Sequence, residues 1–419
     1  MPITAIRENQ YYIGLGKQTG WGVPSASTNI FWRWLDGTDA NPEIKMQQEY
    51  QGDTLPFETL IYKESQHWVI KVKEYARPIT AGFALHALLG SYSDSYMAPI
   101  AQTSLSLGVG PGATSIEVAA NLGNLGTLAV MLDAGLVTTG TPEVVTLNLA
   151  SVTGAGPYTY TLSTGAVQNM HLSNAAVISA STHTLTRQPL TYDPYTIFTS
   201  FNAAGNLEFD IQDCACVEMK ITGEKGKPIV LEHTWYGSLA TKNSTLSSPF
   251  FEGQNVIGSP GSPFLFYQGA ANWLVDGLST GNALTVTKFE IDIKNSTGAE
   301  DMQSEALNPN YFLPGNAKIT GTISVLFQNY NQYLETYFGG TANTQDSYLV
   351  GLGSFNAKFV SDPIDSLALG LPYVNYTAAK ITPKLDGKPL PQNLVFTASA
   401  PLANAVPFTA TLTNTNGRY

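Results

Sequence analysis

Val217–Pro228 reads VEMKITGEKGKP, and Thr377–Pro389 reads TAAKITPKLDGKP. Both contain Lys-Ile-Thr, a short turn, then Gly-Lys-Pro. Both run on into an apolar strand, IVLEHTWYG after the first and LPQNLVFTASA after the second. Two shared tripeptides at matching spacing point to a repeated unit. Alternation identifies its local structure. In Cys214–Thr222 one face carries Ala215, Val217, Met219 and Ile221; the other carries Cys214, Cys216, Glu218 and Lys220. A period of two is a strand with one face on a core and one in water.

Upstream of each Lys-Ile-Thr lies a second matching pair. Residues 66–92 read QHWVIKVKEYARPITAGFALHALLGSY, and residues 316–341 read NAKITGTISVLFQNYNQYLETYFGGT. Each is an alternating strand, a short helix and a glycine. Phe83, Leu85, Leu88 and Leu89 form an apolar stripe before Gly90. Tyr330, Tyr333, Leu334, Tyr337 and Phe338 form one before Gly339. Glycine just past the last turn fits a left-handed C-terminal cap. The helix is the natural cover for the apolar sheet face. Val286–Lys294 alternates likewise, with Phe289, Ile291 and Ile293 opposite Lys288, Glu290, Asp292 and Lys294.

The two copies differ in length. Trp68 precedes Lys220 by 152 residues, whereas Lys318 precedes Lys380 by 62. The difference of 90 matches an unusual block of 88 residues, 99–186, which holds three acids (Glu117, Asp133, Glu143) and no lysine or arginine. Its short β-type runs GATSIEV, PEVVTLNL, PYTYTLS and AAVIS are separated by Gly, Pro and Asn, as in a small β-sandwich. The expected organisation is therefore mainly β. A first module (1–98 and 187–250) is interrupted by an inserted all-β domain (99–186). A second module (251–400) and a C-terminal arm (401–419) follow. Ile30–Leu35 and Phe264–Tyr267 read as leading strands. Pro42–Gln66 and Ser296–Gly315 read as polar loops, longer than ordinary connections of about 4–6 residues.

Composition narrows the function. Of 419 residues only 13% are charged, and the net charge is −11. An acidic chain lacks the clustered Lys/Arg surface of a nucleic-acid binder. Two cysteines exclude a disulfide framework and four-Cys zinc sites. Arg7 and Glu8 stand where a signal peptide needs an apolar run, which predicts a chain kept in a cytoplasm. The uncharged stretch from Val144 to Thr186 is too rich in Ser, Thr and Gly for a membrane span.

The sequence offers no catalytic, cofactor or metal site. His67, His86, His171, His183 and His233 lack ligand spacing. Cys214 and Cys216 share a face but have no third ligand, and read as small residues on a half-exposed strand. Gly14–Gly20 and Gly108–Gly112 fit no phosphate-binding template, and no nucleophile-elbow motif is present. Glu290 and Asp292 resemble a glycosidase pair only until Lys288 and Lys294 beside them are counted.

Together these residues resemble the tail tube proteins, or major tail proteins, of long-tailed bacteriophages. The likeness is carried by YYIGLGKQTGWGVPSAS (11–27), ARPITAGFALHALLGSY (76–92), GTISVLFQNYNQYLETYFGGT (321–341) and KITGEKGKPIVLEHTWYG (220–237). It spans residues 1–98 and 187–400. The resemblance implies two tandem β-sandwich or half-barrel modules, each with one short helix, and likens the inserted block 99–186 to the immunoglobulin-like β-domains that decorate virion proteins. Three chains would make a pseudo-sixfold ring, and rings would stack into a virion tail tube assembled in the host cytoplasm. It implies as partners further copies of the chain, a tape measure protein, and distal tail and tail terminator proteins. Phage DNA would pass through without specific binding. Glu218, Lys220, Glu290 and Asp292 become candidates for the lumen wall, where like charge would repel phosphates. Another virion component, such as a baseplate or fibre protein, and a carbohydrate-binding β-protein remain as alternatives.

Overall fold

The computed structural model describes residues 11–25, 30–50, 58–89, 102–124, 126–132, 143–187, 192–201, 207–243, 262–272, 274–276, 285–298, 307–327, 330–338, 352–361, 364–381, 383, 389–399 and 406–415. The fold is mainly β. Strand β1 (Tyr11–Lys17) pairs with the short β2 (Ile30–Phe31). β3 (Asp39–Tyr50) and β4 (Glu58–Tyr75) form a long hairpin that leads into α1 (Thr80–Leu89). Six short strands follow: β5 (Gln102–Ser104), β6 (Ser115–Val118), β7 (Thr127–Leu132), β8 (Glu143–Thr153), β9 (Tyr158–Leu162) and β10 (Ala176–Ser179). Next come β11 (Ser181–Thr186), β12 (Tyr195–Phe201), β13 (Leu207–Glu224), β14 (Val230–Gly237) and β15 (Ala240–Asn243). A 3-10 turn, Phe266–Asn272, precedes β16 (Leu274–Asp276), β17 (Val286–Asn295), β18 (Ala317–Leu326) and α2 (Asn331–Phe338). The chain closes with β19 (Leu352–Val360), β20 (Ser366–Ile381), β21 (Pro391–Ala398) and β22 (Thr409–Asn414).

Sixteen strands share one branched antiparallel sheet. One pairing order occurs in it twice. β3–β4–β14–β13 recurs as β17–β18–β21–β20, and β1–β12–β13–β15 recurs as β16–β19–β20–β22. The registers match: Asp39 faces Lys71, and 251 residues further on Glu290 faces Thr322. α1 and α2 begin with the same offset, at Thr80 and Asn331. The strands common to both pairing orders, β13 and β20, are both bulged, between Cys216 and Glu218 and between Tyr376 and Ala378. A bulge sharpens bend and twist, so one strand serves two differently oriented sets of neighbours.

The bulge corrects the sequence reading of β13. Val217 is the extra residue, so the strand changes face there. Cys214 and Cys216 join Met219 and Ile221 in the core, and both thiols are fully buried. Burial pushes both thiols well above the usual thiol range. Ala215 turns to the opposite side, where it packs with Tyr192, Phe312 and Tyr236.

Residues from 42 to 66 are not a loop. Apart from 51–57, which lie outside the described residues, they extend the β3–β4 hairpin, with Ile44, Met46, Ile61 and Tyr62 exposed. Without a core on either side, no hydrophobic alternation is written into them. Phe264–Tyr267 is not a strand either; Phe264 and Phe266 are buried as the chain enters the 3-10 turn. The described parts of Ser296–Gly315 carry no strand. The cap glycines Gly90 and Gly339 lie outside the described residues.

β5–β10 form their own sheet, in the order β5–β10–β7–β8–β9–β6. The ends meet: Leu105 bridges Val118, Ser106 N–H donates to Glu117 O at 2.9 Å, and Ala119 N–H to Ser104 O at 2.9 Å. The sheet is therefore closed on itself, a small barrel around Leu105, Val118, Val130, Leu147, Tyr160 and Val177. An immunoglobulin-type sandwich keeps two separate sheets, so that expectation is corrected. Closure also removes the exposed edges that so short a set of strands would otherwise carry. The boundary at Thr186 shifts as well, because β11 leaves the barrel and pairs with β22 from Ser181–Asn414 to Thr186–Thr409. Thr409–Asn414 is accordingly a sheet strand rather than an arm. Its alternation (Ala410 and Leu412 buried) faces the core.

One apolar core spans both repeats of the large sheet. Every residue of α1 is buried, including His86, whose Nδ1 lies 3.0 Å from the Tyr195 hydroxyl. The side chains of Tyr333, Leu334, Tyr337 and Phe338 in α2 are only half-buried.

Candidate assembly surface

The four candidate residues come together where the two repeats meet. β13 carries Glu218 and Lys220 on its solvent face, and β17 carries Glu290 and Asp292. These strands are direct neighbours, with Lys220 opposite Asp292 and Glu218 opposite Lys294. Their opposite faces, Met219 and Ile221 against Ile293 and Ile291, are in the core. Alternation thus fixes the polar side, while the joint brings residues from distant sequence onto one patch.

The charges on this patch are paired. Lys220 Nζ is 2.7 Å from Glu290 Oε1, and Lys294 Nζ is 3.3 Å from Glu218 Oε2. Next along the sheet, Lys73 and Glu232 meet at 2.8 Å across β4 and β14. The hydrogen bond to Glu290 holds the Lys220 ammonium above its usual range, aided by the charges of Glu290, Asp292 and Glu232 against some burial. Asp292 is shifted up, first by burial, with Glu290 and Glu218 adding repulsion against the pull of Lys220 and Lys294. A uniformly acidic wall is therefore not what these strands present; the excess negative charge of the chain lies elsewhere. From β4 to β17 the row Lys73–Glu232–Lys220–Asp292 alternates in sign across strand neighbours, the favourable cross-strand arrangement.

Among the described residues β2, β3, β11, β15 and β16 each have a single strand neighbour, and two open edges, β3 and the end of β20, correspond to strands that are joined inside the chain. β3 has β4 on one side and no other neighbour among the described residues. Among the described residues the end of β20, from Tyr376 to Ile381, has β21 as its strand neighbour and no other. β17 and the end of β13 are their counterparts in the pairing order, and those two are joined to each other. The hydrogen-bonding phase identifies which groups point outward. Ala76 N–H donates to Ile229 O, and Lys225 N–H to Thr287 O. Counting in steps of two along the registers, Ala40 and Pro42 direct their backbone groups to the free side of β3. Proline has no N–H to leave bare there, which suits an edge. On β20, Ala379 N–H makes a long 3.3 Å bond to the Tyr337 hydroxyl of α2.

The histidines are dispersed. His67 lies beside Glu43 at 3.4 Å, His86 beside Asp193 at 3.7 Å, His171 beside Glu143 at 3.6 Å and His233 beside Glu74 at 3.5 Å. His183 is buried in β11. Among the described residues, no group of three or more His, Cys, Asp or Glu is arranged to hold a metal ion. No described helix is long and apolar enough to cross a membrane. No protein-family model and no curated protein matches the chain.

Which edges stay free, and that α2 is only half covered, were missed by sequence reasoning. Their one signal was present: α2 carries a stripe of aromatic residues that a single sheet face does not bury.

Proposed function

We propose that this chain is a tail tube protein of a long-tailed bacteriophage, a structural protein that polymerises into a conduit for DNA. On this reading the two sets of strands are duplicated tube modules, each with one helix, and the small barrel is an insertion in the first. The observation that carries the reading is the joint between β13 and β17. It links one repeat to the next edge to edge and leaves the equivalent edges open at the two ends, β3 and β20. A unit with complementary open edges adds copies head to tail, and such a heterologous contact closes into a ring when the rotation permits. With two modules per chain, three chains make a six-module ring, and stacked rings make the tube. Open edges are a liability in a monomer; in a ring they are used.

The polar sheet face, with Glu218, Lys220, Glu290 and Asp292, would line the lumen. Lys73, Lys220 and Lys294 of this face are ion-paired, which weakens its hold on phosphates, so DNA would slide without specific binding. A tape measure protein inside, and terminator and distal tail proteins at the ends, are the partners this role requires. The barrel of β5–β10 would sit on the outer surface, since the tube wall needs none of its strands. The place of action is the virion tail, after assembly in the host cytoplasm.

Negative-stain electron microscopy of purified protein tests the reading. Rings or hollow tubes with threefold or pseudo-sixfold symmetry are expected. Six chains per ring would overturn the two-module count. Solid fibres would favour a fibre or baseplate component instead.

A further inference from the structure

Within the chain, β13 and β17 show how one repeat joins the next, residue by residue. The repeat then gives the register of a joint between chains. The offset of 160 residues that relates the two bulges carries Lys220 to Lys380, and the offset of 251 carries Glu290 to Asp39 and Asp292 to Asn41.

We propose that β3 of one copy adds antiparallel to the free end of β20 of another, with Lys380 opposite Asn41 and Ile381 opposite Ala40. In this register Lys380 takes the place of Lys220 and forms an ion pair with Asp39 of the neighbouring copy, as Lys220 does with Glu290. This deepens the ring reading and rests on it for the identity of the partner, a second copy of the chain.

Three features of the free edges fit the register. Lys380, Asp39 and Asn41 are exposed, and neither Lys380 nor Asp39 has a described ion pair. Tyr376, Ala379 and Ile381 continue the apolar face of β20 and Ala40 that of β3, so core meets core and solvent face meets solvent face. The third feature is the pair of helices. Asn295, at the end of β17, donates from Nδ2 to Leu88 O in α1. Its counterpart on β3 is Ile44, which is exposed and in the joint would approach the end of α2. The half-buried aromatic residues of α2 would then be covered as α1 is covered within the chain.

The seam is also weaker than the joint it copies. Glu218, which pairs with Lys294 inside the chain, is replaced by Ala378 opposite Glu43. Pro42 supplies no N–H to the ladder. A single ion pair therefore carries the charge recognition between chains. Such a seam would hold only at high chain concentration and would be salt-sensitive.

Lys380 and Asn41 form a non-hydrogen-bonded pair in this register, the closer of the two antiparallel pair types. A chain carrying Asn41→Cys and Lys380→Cys is oxidised mildly and run without reductant; Cys214 and Cys216 are buried and do not interfere. Intermolecular cross-links ending in closed trimers are expected, at least tenfold above those of Asn41→Cys with Ala378→Cys, whose register is off by two. In parallel, Lys380→Asp and Asp39→Lys should each abolish assembly measured by light scattering, and the double exchange should restore it. Rings that form while the two introduced thiols stay reduced, or equal linking in the shifted register, would overturn the seam. Cross-links without rings would keep the seam and remove the tube. Neither rings nor cross-links at any concentration would remove both.

Discussion

At one place in the core the two repeats of the large sheet differ in kind. In the first, Glu74 is buried beside His233, with Nε2 and Oε1 3.5 Å apart. Thr80 Oγ1 donates to Glu74 Oε2 at 2.8 Å, and Trp235 Nε1 donates to His233 Nδ1 at 2.6 Å. In the second repeat the equivalent residues are Val325, Leu394 and Phe396, all fully buried. The backbone pairing is unchanged, so the fold does not depend on the polar set. Two of its contacts are hydrogen bonds, while Glu74 Oε1 and His233 Nε2 face each other in the core without one, so the polar set is held by the charge pairing as much as by hydrogen bonds and is costly to break on one side. The comparison also separates what a sheet needs, alternation and bulges at fixed places, from what each copy has filled in. Gly321 makes the same point. A Cβ there would collide with the Glu290 carbonyl oxygen and the Phe396 ring, whereas the equivalent position in the first repeat holds Ile70, buried opposite Trp235.

The largest effect is expected where one repeat completes the other. Deleting 102–179 and rejoining the ends should leave the large sheet folded, because the barrel has a separate core. Extending the deletion to Thr186 removes β11 from β22, with buried His183 and Leu185, and bares the edge. That protein should aggregate or lose its cooperative unfolding transition by circular dichroism. Equal behaviour of the two deletions would mean β11 adds nothing to the second repeat.

Next in size is the core trio. Glu74→Val alone should cost about 3–5 kcal/mol in urea unfolding, since it strands a buried polar partner. Combining it with His233→Leu and Trp235→Phe, which copies the second repeat, should recover most of the loss. A triple variant no better than the single would show that the surroundings of the two sites are not interchangeable.

The helices give a smaller contrast at equivalent positions. Phe83→Ala in the buried α1 should cost about 3–5 kcal/mol. Leu334→Ala in α2 should cost about 1 kcal/mol in the free chain, because the side chain is only half removed from water. If assembly covers α2, the second variant should also raise the concentration needed for ring formation; light scattering measures this.

The smallest effects belong to the charge ladder. Asp292 has a raised folded pKa, so its ionisation disfavours the folded state as pH rises through the carboxylate range. Asp292→Asn should gain a few tenths of a kcal/mol at pH 7, and the gain should vanish below about pH 3. Lys220 has the opposite sign. Its raised pKa gives stability that is present below the unfolded value, about 10.4, and lost as pH rises through the folded one. Lys220→Ala should therefore cost under about 1 kcal/mol at pH 7 and nothing in strong alkali. Urea unfolding at each pH measures both.

Much of the architecture is legible in particular residues. Phe289, Ile291 and Ile293 alternate with charged residues and are buried as read. The repeated Lys-Ile of Lys-Ile-Thr stands at equivalent places on β13 and β20, four residues past the start of each bulge. The strands of the charge-poor block stand where Val, Ile and Tyr alternate with Thr. Alternation failed at Val217, because a bulge inserts one residue without any mark in composition. It failed again from Pro42 to Gln66, because a hairpin reaching past the core has no buried side to record.

What the sequence determined by itself, then, was which face of each strand is apolar and where the repeat lies. Those properties are local: they depend on the order of side chains within a few residues. The tertiary structure decided which strands are neighbours. It closed β5–β10 into a barrel, sent β11 across to β22, paired Lys220 with Glu290, and gave β3 and the end of β20 no second neighbour among the described residues. Edge pairing is made by backbone groups that every residue carries, so its partners are chosen by the packing of whole sheets and leave little trace in the chain.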